Sequence, residues 1–255
     1  MRIDVAFTPA GLSHLEVHGR TVFVIDILRA TTTMCAALSN GAKSIIPVSS
    51  TEEALRLTQT IGSNAVLLAG ERKCVKIPGF HLGNSPLEMK EETVRGKTLV
   101  ITTSNGTEAL LACQGGGSVY LAAAANLNLA AERGREALDD HQSILIVCAG
   151  RNGTFALDDA YCAGQLATAI LGGTKPRRGL NDATLASIAL VRRYRDHWER
   201  PLGNSRSGRE LVRLGYGDDI RDAARVDAYP VLPQYHARRV TLVPVPFAAL
   251  RAGDA

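Results

Sequence analysis

Val24-Ile25-Asp26-Ile27-Leu28-Arg29-Ala30-Thr31-Thr32-Thr33 is the stretch whose reading decides the fold of this chain. It begins inside a short apolar run rich in β-branched residues, which reads as a buried strand. An acid, an arginine and three threonines follow at once, and threonine hydroxyls suit the open amides of a first helical turn. A buried strand that runs directly into a helix start is half of a βαβ unit. The same alternation recurs along the chain. Strands are predicted at residues 3–7, 22–25, 44–48, 65–69, 98–102, 118–121, 143–148 and 240–245. Helices are predicted to open at Thr51-Glu52-Glu53-Ala54 and to cover 105–113, 126–138, 158–171 and 182–198, with a turn at 172–177. The fold class is therefore α/β, a largely parallel sheet with flanking helices. The chain reads as a single catalytic unit over 1–255; a division into subdomains 1–140 and 141–255, with the site in the cleft between them, is the alternative.

Composition excludes several classes of function. At 255 residues, 45% of them hydrophobic and 21% charged, the chain can bury a core without staples. Its net charge of +4 is scattered and not gathered into a stripe, so no nucleic-acid partner is expected. A mild positive bias does suit a small anionic substrate. Cys35, Cys74, Cys113, Cys148 and Cys162 are odd in number and widely spaced, which implies neither disulfides nor zinc. No apolar run approaches the roughly 18 residues of a membrane span, and Met1-Arg2-Ile3-Asp4 leads straight into a strand, so a cytoplasmic protein with no membrane partner is expected. The sequence leaves assembly as a homodimer open.

Chemistry-bearing residues follow the predicted strands, where open α/β sheets place their ligand crevice. After the first such strand come Asp26, Arg29, Thr31 and Thr32, offering an acid, a cation, hydroxyls and helix-start amides to an anion. After the next come Glu71, Arg72 and Lys73, and then the loop Gly79-Phe80-His81-Leu82-Gly83-Asn84-Ser85-Pro86, whose small residues allow close approach of backbone to ligand. Thr102-Thr103-Ser104-Asn105-Gly106-Thr107 reads as a phosphate cradle. Finally, Cys148-Ala149-Gly150-Arg151 leads to Asp158 and Asp159, an anion fork followed by oxygen ligands for a hard cation. Neighbouring acids on a helix cannot face the same way, so one of the pair is expected to serve the site and the other to cap. The P-loop, the cysteine-phosphatase loop and the D-x-D signature are all absent, and the histidines show no metal-ligand spacing.

The ordered blocks V-I-D-I-L-R-A-T-T-T, G-E-R, G-F-H-L-G-N-S-P, T-T-S-N-G-T and C-A-G-R-N-G-T-F-A-L-D-D closely resemble the 2-phosphosulfolactate phosphatase family, from about Asp4 to Pro233. The resemblance implies a magnesium-dependent phosphomonoesterase that releases phosphate and sulfolactate on a route to coenzyme M. Carried over by position, it points to Asp26, Arg29, Glu71, Arg72, Asn84, Asn105, Arg151 and Asp159. Asp26, Glu71 and Asp159 are then the expected Mg2+ ligands. Arg29 and Arg72 are expected on phosphate oxygens. Thr31, Thr32, Lys73, Asn84, Ser85, Ser104, Gly106, Thr107 and Arg151 are expected around the substrate. His81 stands where the family has Asp, Ser104 replaces Thr and Asp158 replaces Glu. The loss of a carboxylate at His81 motivates the alternative of a catalytically silent anion-binding or regulatory homologue.

Overall fold

The computed structural model describes residues 2–243 except 11, 13, 62–64 and 175–178. Its strands are β1 (Ile3–Ala6), β2 (Thr21–Ile25), β3 (Ser44–Pro47), β4 (Val66–Arg72), β5 (Val75–Lys76), β6 (Thr98–Thr102), β7 (Ser118–Leu121), β8 (Ile144–Cys148), β9 (Pro233–His236) and β10 (Arg239–Leu242). They form one sheet in the order β1-β8-β2-β7-β9-β10-β3-β6-β4-β5. Each predicted strand has its counterpart, and helices cover the sheet, so the α/β class holds. Residues 244 and 245 of the last predicted strand, and 175–177 of the predicted turn, lie outside the described residues. No helix among the described residues is long and apolar enough to cross a membrane.

The sheet consists of two parallel blocks. In one, β1, β8, β2 and β7 run together; in the other, β3, β6 and β4 do. The hairpin β9–β10 joins them and is antiparallel to both β7 and β3. Following the pairings from β7 through β9 and β10 to β3 reverses direction three times, so the two blocks run in opposite senses. That corrects the simple expectation of strand ends aligned along one edge. Twist of roughly 20–25° per step, over five steps from β2 to β6, turns the second block by about 100–125° and offsets much of the reversal. The carboxyl ends of both blocks consequently meet: the Asn152 amide, beyond β8, donates to Asn105 Oδ1, beyond β6, at 3.0 Å. β8 lies between β1 and β2, so strands from either side of residue 140 interleave in one sheet.

Every residue of β2, β6 and β8 is buried, as both-face coverage of a parallel sheet requires. Alternation sorts their side chains: Phe23 and Ile25 join one core cluster with Tyr161, Leu166 and Trp198, while Val22 and Val24 join another with Met34, Leu99 and Ile101. Each such burial is worth about 1.5–3 kcal/mol. The helix Ala30–Ser39 is buried from Ala30 to Leu38, which accounts for its small residues. The predicted helix over 182–198 ends earlier, as Asp182–Tyr194. Arg195 takes φ 50° there, and its carbonyl accepts from the Tyr161 hydroxyl at 2.5 Å and Gln165 Nε2 at 3.0 Å.

Gly70 sets the path of β4 into the site. At φ 151° it brings its backbone so close to β6 that a Cβ would stand 2.1 Å from the Thr102 carbonyl oxygen. Gly70→Ala is expected to lower stability by about 2–3 kcal/mol through a clash with backbone that cannot yield. Gly203→Ala, in the helix Glu199–Asn204 with open space around it, should stay within about 1 kcal/mol of the parent. Denaturant unfolding of the two variants measures the difference.

Candidate active site

The loops beyond β2, β4, β6 and β8 enclose a pocket of about 360 Å³. Asp26, Leu28 and Arg29 enter from the end of β2; Glu71 from the end of β4, and Lys73 and Cys74 from the turn between β4 and β5; Ser104 and Asn105 from the end of β6; Arg151 and Asn152 from that of β8. Asn84 enters from the long loop after β5. The far wall is Arg206, Ser207 and Glu210, on the helix Arg206–Arg213.

Carboxylates hold these loops in place. Glu71 accepts from the Cys74 amide through Oε2 at 2.6 Å and from the Ser104 amide through Oε1 at 2.7 Å, so one side chain ties the β4–β5 turn to the end of β6. The Ser104 hydroxyl adds a bond to Oε2 at 3.2 Å, which the threonine of the family could equally make. Asp159 does the same for the other block: Oδ1 accepts from the Ile27 amide and Oδ2 from the Gly150 amide, each at 3.0 Å. Asp26 accepts from the Ala30 amide at 3.2 Å through Oδ1. Its Oδ2 faces Gly106, where a Cβ would come within 2.6 Å, so glycine is needed at that helix start.

The structure gathers Asp26, Arg29, Glu71, Lys73, Asn84, Ser104, Asn105 and Arg151 on the pocket wall, and leaves the other expected site residues off it. Arg72 alternates with Glu71 along β4 and turns outward, with its guanidinium donating to the Glu71 carbonyl and to Thr102 Oγ1. Thr31 and Thr32 spend their hydroxyls on the carbonyls of Asp26 and Ile27, each at 2.9 Å, and so shape the strand-to-helix turn. Thr107 bonds back to Thr103. Ser85 donates to Asp219 Oδ1 at 2.6 Å. Arg29 reaches the wall already engaged, paired with Asp219 at 2.6 Å, bonded to the Cys74 carbonyl and stacked on Tyr216. Neither of the neighbouring acids reaches the pocket as expected, because Asp159 clamps loops and Asp158 lies behind Ser207.

Burial dominates the electrostatics. Asp26 is pushed up to about 7, first by desolvation and then by the charges of Glu71 and Asp158, with the Ala30 amide and Arg29 pulling the other way. Desolvation also raises Asp158, to about 6, against the pull of Ser207, the first-turn amides and Arg151. Asp159 is raised well above its ordinary range by desolvation and by Asp158 and Asp26. Three carboxyls desolvated together in this way favour a cation or a shared proton nearby.

Sequence reading missed Arg206, Ser207 and Glu210 altogether. Their only local signal is Ser205, which caps the helix by accepting from the Gly208 amide at 2.9 Å. Asp219, the partner of Arg29, carries no motif of its own in the sequence.

Fold and pocket together define an α/β protein with a pocket, at the ends of its strands, lined by both carboxylates and cations. The chain belongs to the family described as 2-phosphosulpholactate phosphatase, which it matches over residues 6–238, and it is by that membership a phosphoric monoester hydrolase. A probable 2-phosphosulfolactate phosphatase of Symbiobacterium thermophilum is 40% identical over 228 residues, 89% of this chain and 96% of that one. Probable 2-phosphosulfolactate phosphatases of Thermotoga maritima and Clostridium acetobutylicum are 38% and 33% identical, over 91% and 92% of this chain and 94% and 97% of theirs.

His81, the sharpest departure from the family pattern, sits outside the pocket. Its Nδ1 accepts from the buried Leu68 amide at 3.0 Å, an acceptor role that an aspartate fills equally well. His81→Asp should therefore leave turnover within about twofold of the parent, whereas His81→Ala, which orphans that amide, should cost about 1–2 kcal/mol of stability. Steady-state kinetics and unfolding of both variants check this; a tenfold change in turnover for His81→Asp would place the residue in the chemistry.

Proposed function

We propose that the chain hydrolyses 2-phosphosulfolactate, or a similar phosphorylated 2-hydroxy acid, to the free hydroxy acid and phosphate, with magnesium held by Asp26 and Glu71. The observation that carries this is a single pocket in which these two acids face Lys73, Arg151 and Arg206. Cleaving a phosphate monoester asks the protein chiefly to position the ester and to neutralise the charge of the transferring group. Both signs of charge are at hand.

The donor set suits magnesium. Among the described residues no group of three or more His, Cys, Asp or Glu side chains is arranged to hold a metal. Magnesium does not need one, since it usually takes one or two carboxylates and keeps water and substrate phosphate as its other ligands. Asp26, Glu71 and the amide oxygen of Asn84, which is buried without a partner, are all hard oxygen donors. Asp159 does not line this pocket, so the proposal leaves it out of the ligand set. Magnesium, when bound, supplies charge neutralisation at the phosphoryl oxygens.

The chain's own groups divide the remaining work. Lys73 and Arg151 are the cations free to meet the phosphoryl and acid groups, while Arg29 fixes the wall through Asp219. Asp26 either orients an attacking water or is itself the nucleophile. The silent-homologue reading rested on His81, and His81 does not line the pocket.

Phosphate release from a panel of phosphorylated 2-hydroxy acids tests the proposal. Activity should vanish in chelator and return with magnesium better than with zinc. Glu71→Gln and Asp26→Asn should each lower kcat by at least about a hundredfold, roughly 2.7 kcal/mol or more of transition-state stabilisation. Undiminished turnover in chelator, or in Asp26→Asn, would sink it.

A further inference from the structure

Two guanidinium groups at the pocket are held by no hydrogen bond or ion pair, although both attract Glu210 and Arg151 also attracts Asp158. Arg29 is committed to Asp219, but the side chains of Arg151 and Arg206 make no hydrogen bond or ion pair with another described residue. Both also line a second, smaller pocket of about 230 Å³, as does Ser207, so these side chains stand where the two spaces join. Glu210, four residues after Arg206, is paired with Arg213 at 2.5 Å, which leaves it only a longer-range attraction for Arg151 and Arg206. Neither guanidinium is bonded to a carboxylate, so both can turn to an incoming anion.

The helix that carries Arg206 is firmly seated. Ser205, 1% exposed, accepts from the Gly208 amide and donates to the Leu202 carbonyl at 2.8 Å. Gly208 lets the helix Arg206–Arg213 lie so close to Glu199–Asn204 that a Cβ would stand 2.0 Å from the Leu202 carbonyl oxygen. Arg206 and Ser207 are its first two residues, and the amides of a first helical turn lack intrahelical partners and favour anions. Across the pocket, Asn84 is 4% exposed and its Oδ1, an acceptor without a partner, suits a cation or the hydroxyl of a hydroxy acid, which leaves the anionic group to the arginine side.

We propose that Arg206 and Ser207, together with Arg151, hold the second anionic group of the substrate, a carboxylate or a sulfonate, and so select esters of charged hydroxy acids over simple phosphate esters. This rests on the phosphatase reading for the identity of the first anion. It adds a specificity element contributed by a helix far along the chain from the motifs that follow the parallel strands. A guanidinium fork matches the oxygens of a carboxylate or sulfonate, and a lysine in its place would keep only the charge.

Calorimetric titration of sulfolactate, lactate and inorganic phosphate into the parent protein, Arg206→Gln and Arg206→Lys tests the assignment, with melting curves as a check on folding. Arg206→Gln should weaken sulfolactate at least tenfold and leave phosphate within twofold, and Arg206→Lys should recover part of the loss. An equal loss for lactate would identify the carboxylate as the group held, and unchanged lactate binding would identify the sulfonate. Either outcome supports the proposal. Unchanged sulfolactate affinity in Arg206→Gln, an equal weakening of phosphate, or no measurable sulfolactate binding by the parent would overturn it. The phosphatase reading fails separately: sulfolactate binding that depends on Arg206, without phosphate release from any ester, would remove the hydrolase and leave the anion site.

Discussion

Asp26, Asp158 and Asp159 lie out of water within electrostatic reach of one another, and the surrounding structure is arranged around that constraint. An isolated buried carboxylate costs several kcal/mol unless hydrogen bonds or a counter-charge compensate it. Backbone amides do much of the compensating here. Asp159 takes those of Ile27 and Gly150, and Asp26 takes that of Ala30. Because the donors belong to loops that leave different strands, satisfying the acids also fixes the loops. Glu71 repeats the device in the second block with the amides of Cys74 and Ser104. Of these desolvated acids Asp26 is the one that lines the pocket, and it is there that an incoming cation can relieve them.

The second dependency is on direction. Two parallel blocks of opposite sense would leave their carboxyl ends far apart in a flat sheet, and a site assembled from β2, β4, β6 and β8 could not form. The antiparallel hairpin β9–β10 supplies the reversal, and twist then turns the blocks toward each other. The contact between Asn105 and Asn152 is the seam where the two blocks meet. A long-range constraint of this kind explains why residues 233–242, distant from the pocket in sequence, matter to it.

Much of this was legible in the sequence, for reasons that can be named. Runs such as 98–102 and 144–148 are continuous and β-branched because both faces of their strands are covered, and they stand out against the polar turns around them. Polar residues directly after such runs were bound to lie near a crevice, which is why Asp26, Glu71, Asn105 and Arg151 came together. β9, with the sequence Pro-Gln-Tyr-His, carries no such signal; it is a strand because β7 and β10 bracket it. Side-chain direction was equally hidden. Arg72 and Glu71 are adjacent, so strand alternation sends one away from the pocket, and local pattern alone does not say which. Arg206 and Asp219 reach the site through packing of helices against one another, a contact that no spacing along the chain encodes.

The central claim is that Asp26 and Glu71 form a magnesium site facing the cations that bind a phosphorylated acid. A crystal structure grown with magnesium and inorganic phosphate tests it most directly. The account predicts density for an octahedral cation touching the carboxylates of Asp26 and Glu71, with phosphate between it and Lys73. A cation held instead by Asp158 and Asp159, or phosphate bound away from this pocket, would contradict it.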